Sequence, residues 1–295
     1  MSWRIVMIEQ GDYLKLKLDN LVVKKEGIEY TVPLMDISMI IISNLNSVVT
    51  TRLLDSITKY SISLIVCDAK HLPTGVYNGL NTYSRASKVL KKQLQWNEGF
   101  KDFTWKMIVT AKIKNQVSVL KLFEKNCKKI DIVENYIDFI ELGDKTNREG
   151  HAAKVYFNSL FGIKFTRGDD ENIYNMCLNY IYAVVRAFVA RLIVAYGFTG
   201  LIGIHHKNEY NNFNLVDDLM EPFRPICDKY VLENINEDTV FDFNTRYVLI
   251  EFLYKKISYT GQKMMISNVM EKYIQGFIKY CNYGEIEALI FPEVE

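Results

Sequence analysis

Two hydrophobic periods divide this chain, and the change between them constrains the fold more than any other feature. Residues 3–8 form a short apolar run, and Leu14, Leu16 and Leu18 alternate with Lys15 and Lys17, the period of a half-buried strand. Asp19-Asn20 reads as a turn. Residues 24–27, KKEG, read as a second turn between strands at 21–23 and 28–32, with Gly27 free to take positive φ. Residues 37–42 read as a fully buried strand, Val49, Leu53, Ile57 and Tyr60 recur at helical spacing, and residues 62–67 return to strand, with Pro73 and Gly75 closing this part. From Tyr83 onward the period is helical, predicting helices at 85–96, 103–123, 130–140, 149–161, 173–196, 244–256 and 267–282. The expectation is an α+β chain, with a β-strand-rich domain at 1–78 followed by a larger all-α domain at 79–295. A length of 295 residues suits about two domains.

The most apolar helix is interrupted by Arg186 and Arg191, which makes it a poor membrane span, and MSWRIVMIEQ has no basic segment leading into an apolar core. The five cysteines, Cys67, Cys127, Cys177, Cys227 and Cys281, form no CxxC and read as reduced thiols of a cytoplasmic protein. Net charge is only +1, so nothing global points to a polyanionic partner. The distribution does: residues 85–129 carry twelve Lys or Arg against Glu98, Asp102 and Glu124. Arg85, Lys88 and Lys92 stand at i, i+3 and i+7 with Lys91 beside them, a face able to meet successive phosphates, while Leu90 and Leu94 are expected to turn to the core. An ordinary solvated helix face competes with this reading.

The chemistry concentrates in residues 201–225, LIGIHHKNEYNNFNLVDDLMEPFRP, which crowd His205, His206, Asp217, Asp218, Glu221 and Arg224 into one short span. The histidines follow Gly203 in a break after the apolar run. If Asn214 caps a helix beginning at Leu215, Asp218 and Glu221 share a face; if Pro222 forces Glu221 to be extended, the chain aims that carboxylate instead. Imidazole with carboxylates suits a hard or borderline divalent ion, Mg²⁺ or Mn²⁺, and no cysteine is near enough to suggest structural zinc. A polar loop beside a solvated acidic helix face is the competing reading.

The pattern G-x-x-H, a polar loop and DLMEPFRP resembles the signature of the CRISPR-associated spacer-acquisition integrase, the metal-dependent endonuclease subunit of the adaptation complex, of a type II system. Residues 147–157, NREGHAAKVYF, and 158–162, NSLFG, resemble the family's other signature, in which a glutamate before Gly-x-Ala-Ala opens a helix. The resemblance implies that Glu149, His206 and Glu221 are the catalytic metal ligands. Asp218 matches a supporting acidic position. His206 is fourth from Gly203 and fifteen residues before Glu221, whereas the adjacent His205 departs from the pattern. Asn147 is expected to cap the helix that carries Glu149. Arg148 and Arg224 flank the ligands and could hold a phosphate bidentately, although ordinary salt bridges compete.

By the same resemblance, a DNA 3′-hydroxyl attacks the repeat phosphodiester and joins a new spacer to the array, and water in its place gives nuclease activity. The implied partners are double-stranded DNA (spacer precursor and CRISPR repeat), a second copy in a homodimer through the strand domain, a small CRISPR adaptation subunit completing a hetero-hexamer, and other CRISPR proteins of the locus, with no membrane. An unrelated metal-dependent nuclease and a catalytically silent DNA-binding assembly subunit are the alternatives. No Gly-rich phosphate loop is present, in keeping with chemistry that consumes no nucleotide.

Overall fold

The computed structural model describes residues 4–10, 13–79, 83–123 and 125–294. Trp3, the first residue of the apolar run at 3–8, lies outside them. The N-terminal part contains β1 (Arg4–Ile8), β2 (Tyr13–Lys17), β3 (Asn20–Lys25), β4 (Ile28–Pro33), β5 (Ile37–Ile42), β6 (Val48–Val49), α1 (Thr51–Lys59), β7 (Ser63–Cys67) and β8 (Pro73–Tyr77). They form two four-stranded sheets, ordered β1-β5-β7-β8 and β4-β3-β2-β6. In the first, β1 and β7 flank β5 in parallel and β8 closes the edge antiparallel, so Pro73 and Gly75 lie within a strand and do not end the sheet.

The first turn falls one residue earlier than expected, on Leu18-Asp19, both at positive φ, and Glu26-Gly27 repeats that geometry. Two successive positive φ values match the right-handed twist of the strands they join. Strand β5 explains why residues 37–42 read as unbroken apolar sequence: both of its faces are covered. Ile40 and Ile42 pack with Leu64, Leu14, Leu21 and α1, whereas Met39 and Ile41 join Ile65 and Cys67 in the core of the helical region. The cover that this strand requires is therefore supplied within the chain, by the other sheet and by the helices.

The helical part comprises α2 (Ala86–Leu94), α3 (Glu98–Leu122), α4 (Cys127–Asp138), α5 (Arg148–Phe161), α6 (Ile173–Ala195), α7 (Asn214–Met220), a 3-10 turn (Glu221–Phe223), α8 (Arg224–Asn234) and α9 (Phe243–Glu251). A hairpin, β9 (Lys256–Tyr259) and β10 (Gln262–Met265), precedes α10 (Ile266–Tyr283), so the region is mostly rather than wholly helical. The helix expected at 244–256 gives way after Glu251 to a 3-10 turn and then to this hairpin. Helix α6 is long and apolar enough to cross a membrane by length and composition, but it runs through the protein core, against β7, β8, α7, α8, α9 and α10. Helix α3, capped by Asn97 through Phe100 N at 2.8 Å, packs against α4, α5, α7, α8 and the 3-10 turn, and on it the candidate site is assembled.

Candidate metal centre

Trp105, Lys112 and Asn115 are buried on one side of α3 at helical spacing. Lys112 is only 8% exposed in its side chain, and its ammonium pairs with Glu149 Oε1 and with Glu221 Oε2. Burial works against its charge, but Glu221 and Glu149 outweigh that and raise its pKa. Asn115 donates to the carbonyls of Pro222 and Pro292, each at 2.9 Å, and accepts from Val294 N at 3.0 Å. It thereby pins both the 3-10 turn and the C-terminal segment to α3.

Glu149 sits in the first turn of α5, where the helix dipole favours a carboxylate. Asn147 caps the helix through Gly150 N at 3.2 Å, and buried Asp144 accepts from Arg148 N at 2.8 Å and Glu149 N at 2.9 Å. The first two of the helix's free N–H donors after the cap are thus fixed by a carboxylate that spacing alone did not single out.

Glu221 stays helical (φ −53°, ψ −41°) despite preceding Pro222, and the chain passes from α7 through one 3-10 turn into α8. Asn214 is the first residue of α7, not its cap. Its amide instead donates to Leu201 O and Asn208 O, both at 3.0 Å, and closes the neck of the preceding loop. Arg224, one turn after Glu221, donates Nε to Glu221 Oε1 at 2.7 Å, and its guanidinium lies over the Tyr182 ring at 4.6 Å. Burial alone would raise the Glu221 pKa, but Arg224 and Lys112 hold it at about 2. Its buried Oε2 is held by the Lys112 ammonium.

The histidine loop is organised by Asp218, which is 0% exposed. Asp218 accepts from Ile204 N at 2.6 Å, His205 N at 3.0 Å, His206 N at 3.2 Å and His206 Nδ1 at 2.6 Å. With all of these donors on its two oxygens, Asp218 acts through the loop and through His206. Assigning the ring proton to Nδ1 satisfies that bond and leaves Nε2 with a free lone pair. The bond to Asp218 also raises the His206 pKa. Gly203 is required by close approach: a Cβ there would stand 2.5 Å from His206 O and 2.7 Å from Asp218 Oδ2. His205 stacks flat on Trp105, ring centroids 4.2 Å apart, while His206 meets the same indole edge-on at 5.8 Å. Burial lowers the His205 pKa.

The structure therefore gathers the sequence-predicted residues into two groups, Glu149–Lys112–Glu221–Arg224 and Asp218–His206–His205, the second resting on Trp105. Among the described residues no three His, Cys, Asp or Glu side chains converge as a preformed cage, and Lys112 stands between the two carboxylates. Both groups lie on α3, where Trp105 and Lys112 are two turns, about 10 Å, apart along the axis. Helical side chains lean toward the N-terminus, so the Lys112 stem leans toward the histidines. As a donor set, two carboxylates and an imidazole suit a divalent ion. The Lys112 ammonium held between Glu149 Oε1 and Glu221 Oε2 shows that the two carboxylates face one point where positive charge is stabilised.

On the proposed DNA face, Arg85, Lys88 and Lys91 are exposed, whereas Lys92 is partly buried with its ammonium 3.2 Å from Asn282 Oδ1. Helix α2 turns Val89 and Gln93 inward, and leaves Leu90 (38%) and Leu94 (65%) exposed, reversing the expectation for the two leucines. The reason is polar: Gln93 accepts from Thr199 N at 3.0 Å and donates to Thr199 O at 2.9 Å and Ile202 O at 2.8 Å, satisfying the backbone that leads into the histidine loop. Arg148 turns from Glu149 toward Tyr136 and Phe139, 5.7 Å from each ring centre. Sequence reasoning missed Lys112, which was counted only as one of the cations of residues 85–129. The available signal was its step with Trp105 and Ile108 on a buried stripe.

The family described as CRISPR associated protein Cas1 matches residues 5–259. A CRISPR-associated endonuclease Cas1 from Neisseria meningitidis serogroup C (strain 8013) is 35% identical over 297 residues, covering 100% of this chain and 97% of that protein. Among solved structures, a casposase bound to integration product superposes with TM-score 0.80 at 20% identity, covering 99% of this chain and 95% of that one. A chain of a Cas6-RT-Cas1–Cas2 complex superposes with TM-score 0.78 at 16% identity, covering 99% of this chain and 36% of that one. At such identities these two likenesses speak for the fold. With a family match over most of its length and a relative 35% identical from end to end, the chain belongs to the Cas1 family of CRISPR-associated proteins.

Proposed function

We propose that Glu149, His206 and Glu221 together hold one divalent ion, Mg²⁺ or Mn²⁺, at which a DNA phosphodiester is exchanged. Family membership makes the chain a spacer-integrating endonuclease of CRISPR adaptation, in a family that is generally metal-dependent. The observation that carries the site assignment is the meeting of Glu149 and Glu221, from helices far apart in sequence, on one buried cation. When bound, the ion supplies Lewis-acid stabilisation of charge developing on the phosphodiester oxygens. Arg224 fixes Glu221 by one oxygen, and the other is turned to the Lys112 ammonium beside Glu149. Asp144 fixes the helix start that presents Glu149, and Asp218 directs the free lone pair of His206. The attacking 3′-hydroxyl gives its proton to solvent as its oxygen bonds to phosphorus, the phosphorus–oxygen bond to the repeat strand breaks, and the departing oxygen takes a proton from solvent. One phosphodiester replaces another, so no nucleotide is consumed, and water in place of the hydroxyl gives hydrolysis.

Arg85, Lys88 and Lys91, exposed on α2, support a path for double-stranded DNA, both spacer precursor and repeat, with Lys92 at its margin. A homodimer through the N-terminal sheets is supported by β4, an edge strand whose Ile28 and Tyr30 are exposed, and by exposed Tyr13 and Val48. Assembly with a small Cas2-like adaptation subunit into a hetero-hexamer is supported by the shared fold of the Cas1-bearing chain in the Cas2 complex. Strand transfer of a labelled 3′-hydroxyl duplex into supercoiled repeat DNA, with and without Mn²⁺, tests the function. Joining that depends on Mn²⁺ and is lost in Glu221→Ala is the expected result. Cutting without joining would make the protein a plain nuclease, and no reaction at all a silent assembly subunit.

A further inference from the structure

We propose that Lys112 is a built-in counter-ion that competes with the divalent ion for Glu149 and Glu221, keeping the site paired until metal is held there. This rests on the assignment of those two carboxylates as metal ligands. Lys112 and Glu221 are both nearly inaccessible, and the ammonium takes one oxygen from each acid, Glu149 Oε1 and Glu221 Oε2. With Arg224 on the other oxygen of Glu221, two cations offset two carboxylates, and the cluster is neutral without any ion from solution. Two carboxylates brought this close would otherwise repel each other, and a buried charge left without a partner is strongly destabilising. The ammonium thus keeps both acids charged and aimed at one point, which preorganises them for a cation.

The same ion pairs create the competition. A divalent ion held by these acids needs the oxygens that Lys112 occupies, so the ammonium must withdraw first. A lysine has the flexible four-carbon stem for such a movement, and a DNA phosphate arriving at the site offers it a new anionic partner. Apparent metal affinity is then reduced by the fraction of molecules in which Lys112 holds the carboxylates.

Calorimetric titration of the DNA-free protein with Mn²⁺ alone, for the unmodified chain, Lys112→Met and Glu221→Gln, tests this. Lys112→Met is expected to bind Mn²⁺ at least about tenfold more tightly, a difference of about 1.4 kcal/mol. Unchanged or weaker binding overturns the proposal. Glu221→Gln is expected to lose binding, and if it binds like the unmodified chain it is the metal-site assignment that fails. A second measurement needs no variant: acylation of lysines by an N-hydroxysuccinimide ester, read by mass spectrometry with and without Mn²⁺. Lys112 should be protected without Mn²⁺ and labelled with it, and equal labelling under both conditions overturns the proposal.

Discussion

Replacing Asp218 with Asn separates the positioning of His206 from the stability of its loop. Asp218 is fully buried and accepts from the backbone of Ile204, His205 and His206 and from His206 Nδ1. In Asp218→Asn the amide oxygen can keep the Ile204 and His205 donors, while the amide nitrogen faces His206. That nitrogen can only donate, so His206 Nδ1 must accept, and the ring proton moves to Nε2. The one donor left over is His206 N, whose bond was the longest of the set at 3.2 Å. Its loss costs about 1–2 kcal/mol, or roughly 2–8 °C in Tm. Asp218→Ala orphans all of these donors and should cost about 4 kcal/mol or more. Function should suffer more than stability: with Nε2 protonated, the structurally mild Asn variant should still lose about 10–100-fold in Mn²⁺ affinity and strand transfer. The pH dependence carries a sign. The bond to Asp218 raises the His206 pKa, so its contribution to stability is fully present below about pH 6.5 and is lost as pH rises through the folded-state value. The stability gap between unmodified protein and Asp218→Asn should therefore be wider at pH 5.5 than at pH 8.5. Chemical denaturation at both pH values, strand-transfer rates and the His206 ring tautomer by long-range ¹⁵N–¹H NMR check the three consequences. An Asn variant that keeps the proton on Nδ1 and joins DNA at the normal rate would refute the positioning role, as would a gap that widens with pH.

Burial pushes the Asp228 carboxyl up to about 6 from its ordinary 3.8, in a site where Tyr156 and Tyr182 both donate to it. The folded state then holds a proton that the unfolded state has lost between pH 4 and pH 6, so stability falls as pH climbs through that interval. Asp228→Asn should gain about 3 kcal/mol relative to the unmodified protein between pH 4 and pH 7, and a pH-independent difference in denaturation would contradict this. Charge reversal at the exposed pair Lys88 and Lys91 should weaken binding to unrelated duplexes about equally. It should also flatten the salt dependence by about one log–log unit for each phosphate that is no longer neutralised, with Mn²⁺ binding unchanged. A double variant with the unmodified affinity and salt slope would place the DNA path elsewhere.

How far the sequence could be read depended on whether a local rule governed each residue. Strand β5 was legible because unbroken apolar sequence of strand length requires cover on both faces, whereas its partners, β1 and β7, are not its neighbours in sequence and were not legible. The β9–β10 hairpin was hidden because Leu249, Leu253 and Ile257 continue at helical spacing across it, although Thr260 and Gly261, both at positive φ, make the turn. Helix α8 was hidden because Pro222 reads as a break, yet the chain stays helical through it, and Pro225 sits in the first turn of α8, where its missing N–H costs nothing. Asn147 could be identified as a cap from its position alone, while the second cap, Asp144, depends on the left-handed turn at Gly143 and Asp144. Helix α2 failed in the opposite way: its leucines gave way to Gln93, because the backbone before the histidines needed partners more than the core needed apolar surface. In the site, the acids and imidazoles stood out by residue type and spacing. Lys112 and Asn115 did not, because what they do depends on helices remote in sequence.

Anomalous diffraction from crystals grown with Mn²⁺ is the sharpest test of the metal assignment. One strong peak is expected at about 2.1 Å from an oxygen of Glu149 and an oxygen of Glu221, facing His206 Nε2, with the Lys112 ammonium withdrawn from both acids. A peak that excludes Glu149 or Glu221, or Mn²⁺ bound elsewhere while Lys112 still bridges the two carboxylates, would contradict it.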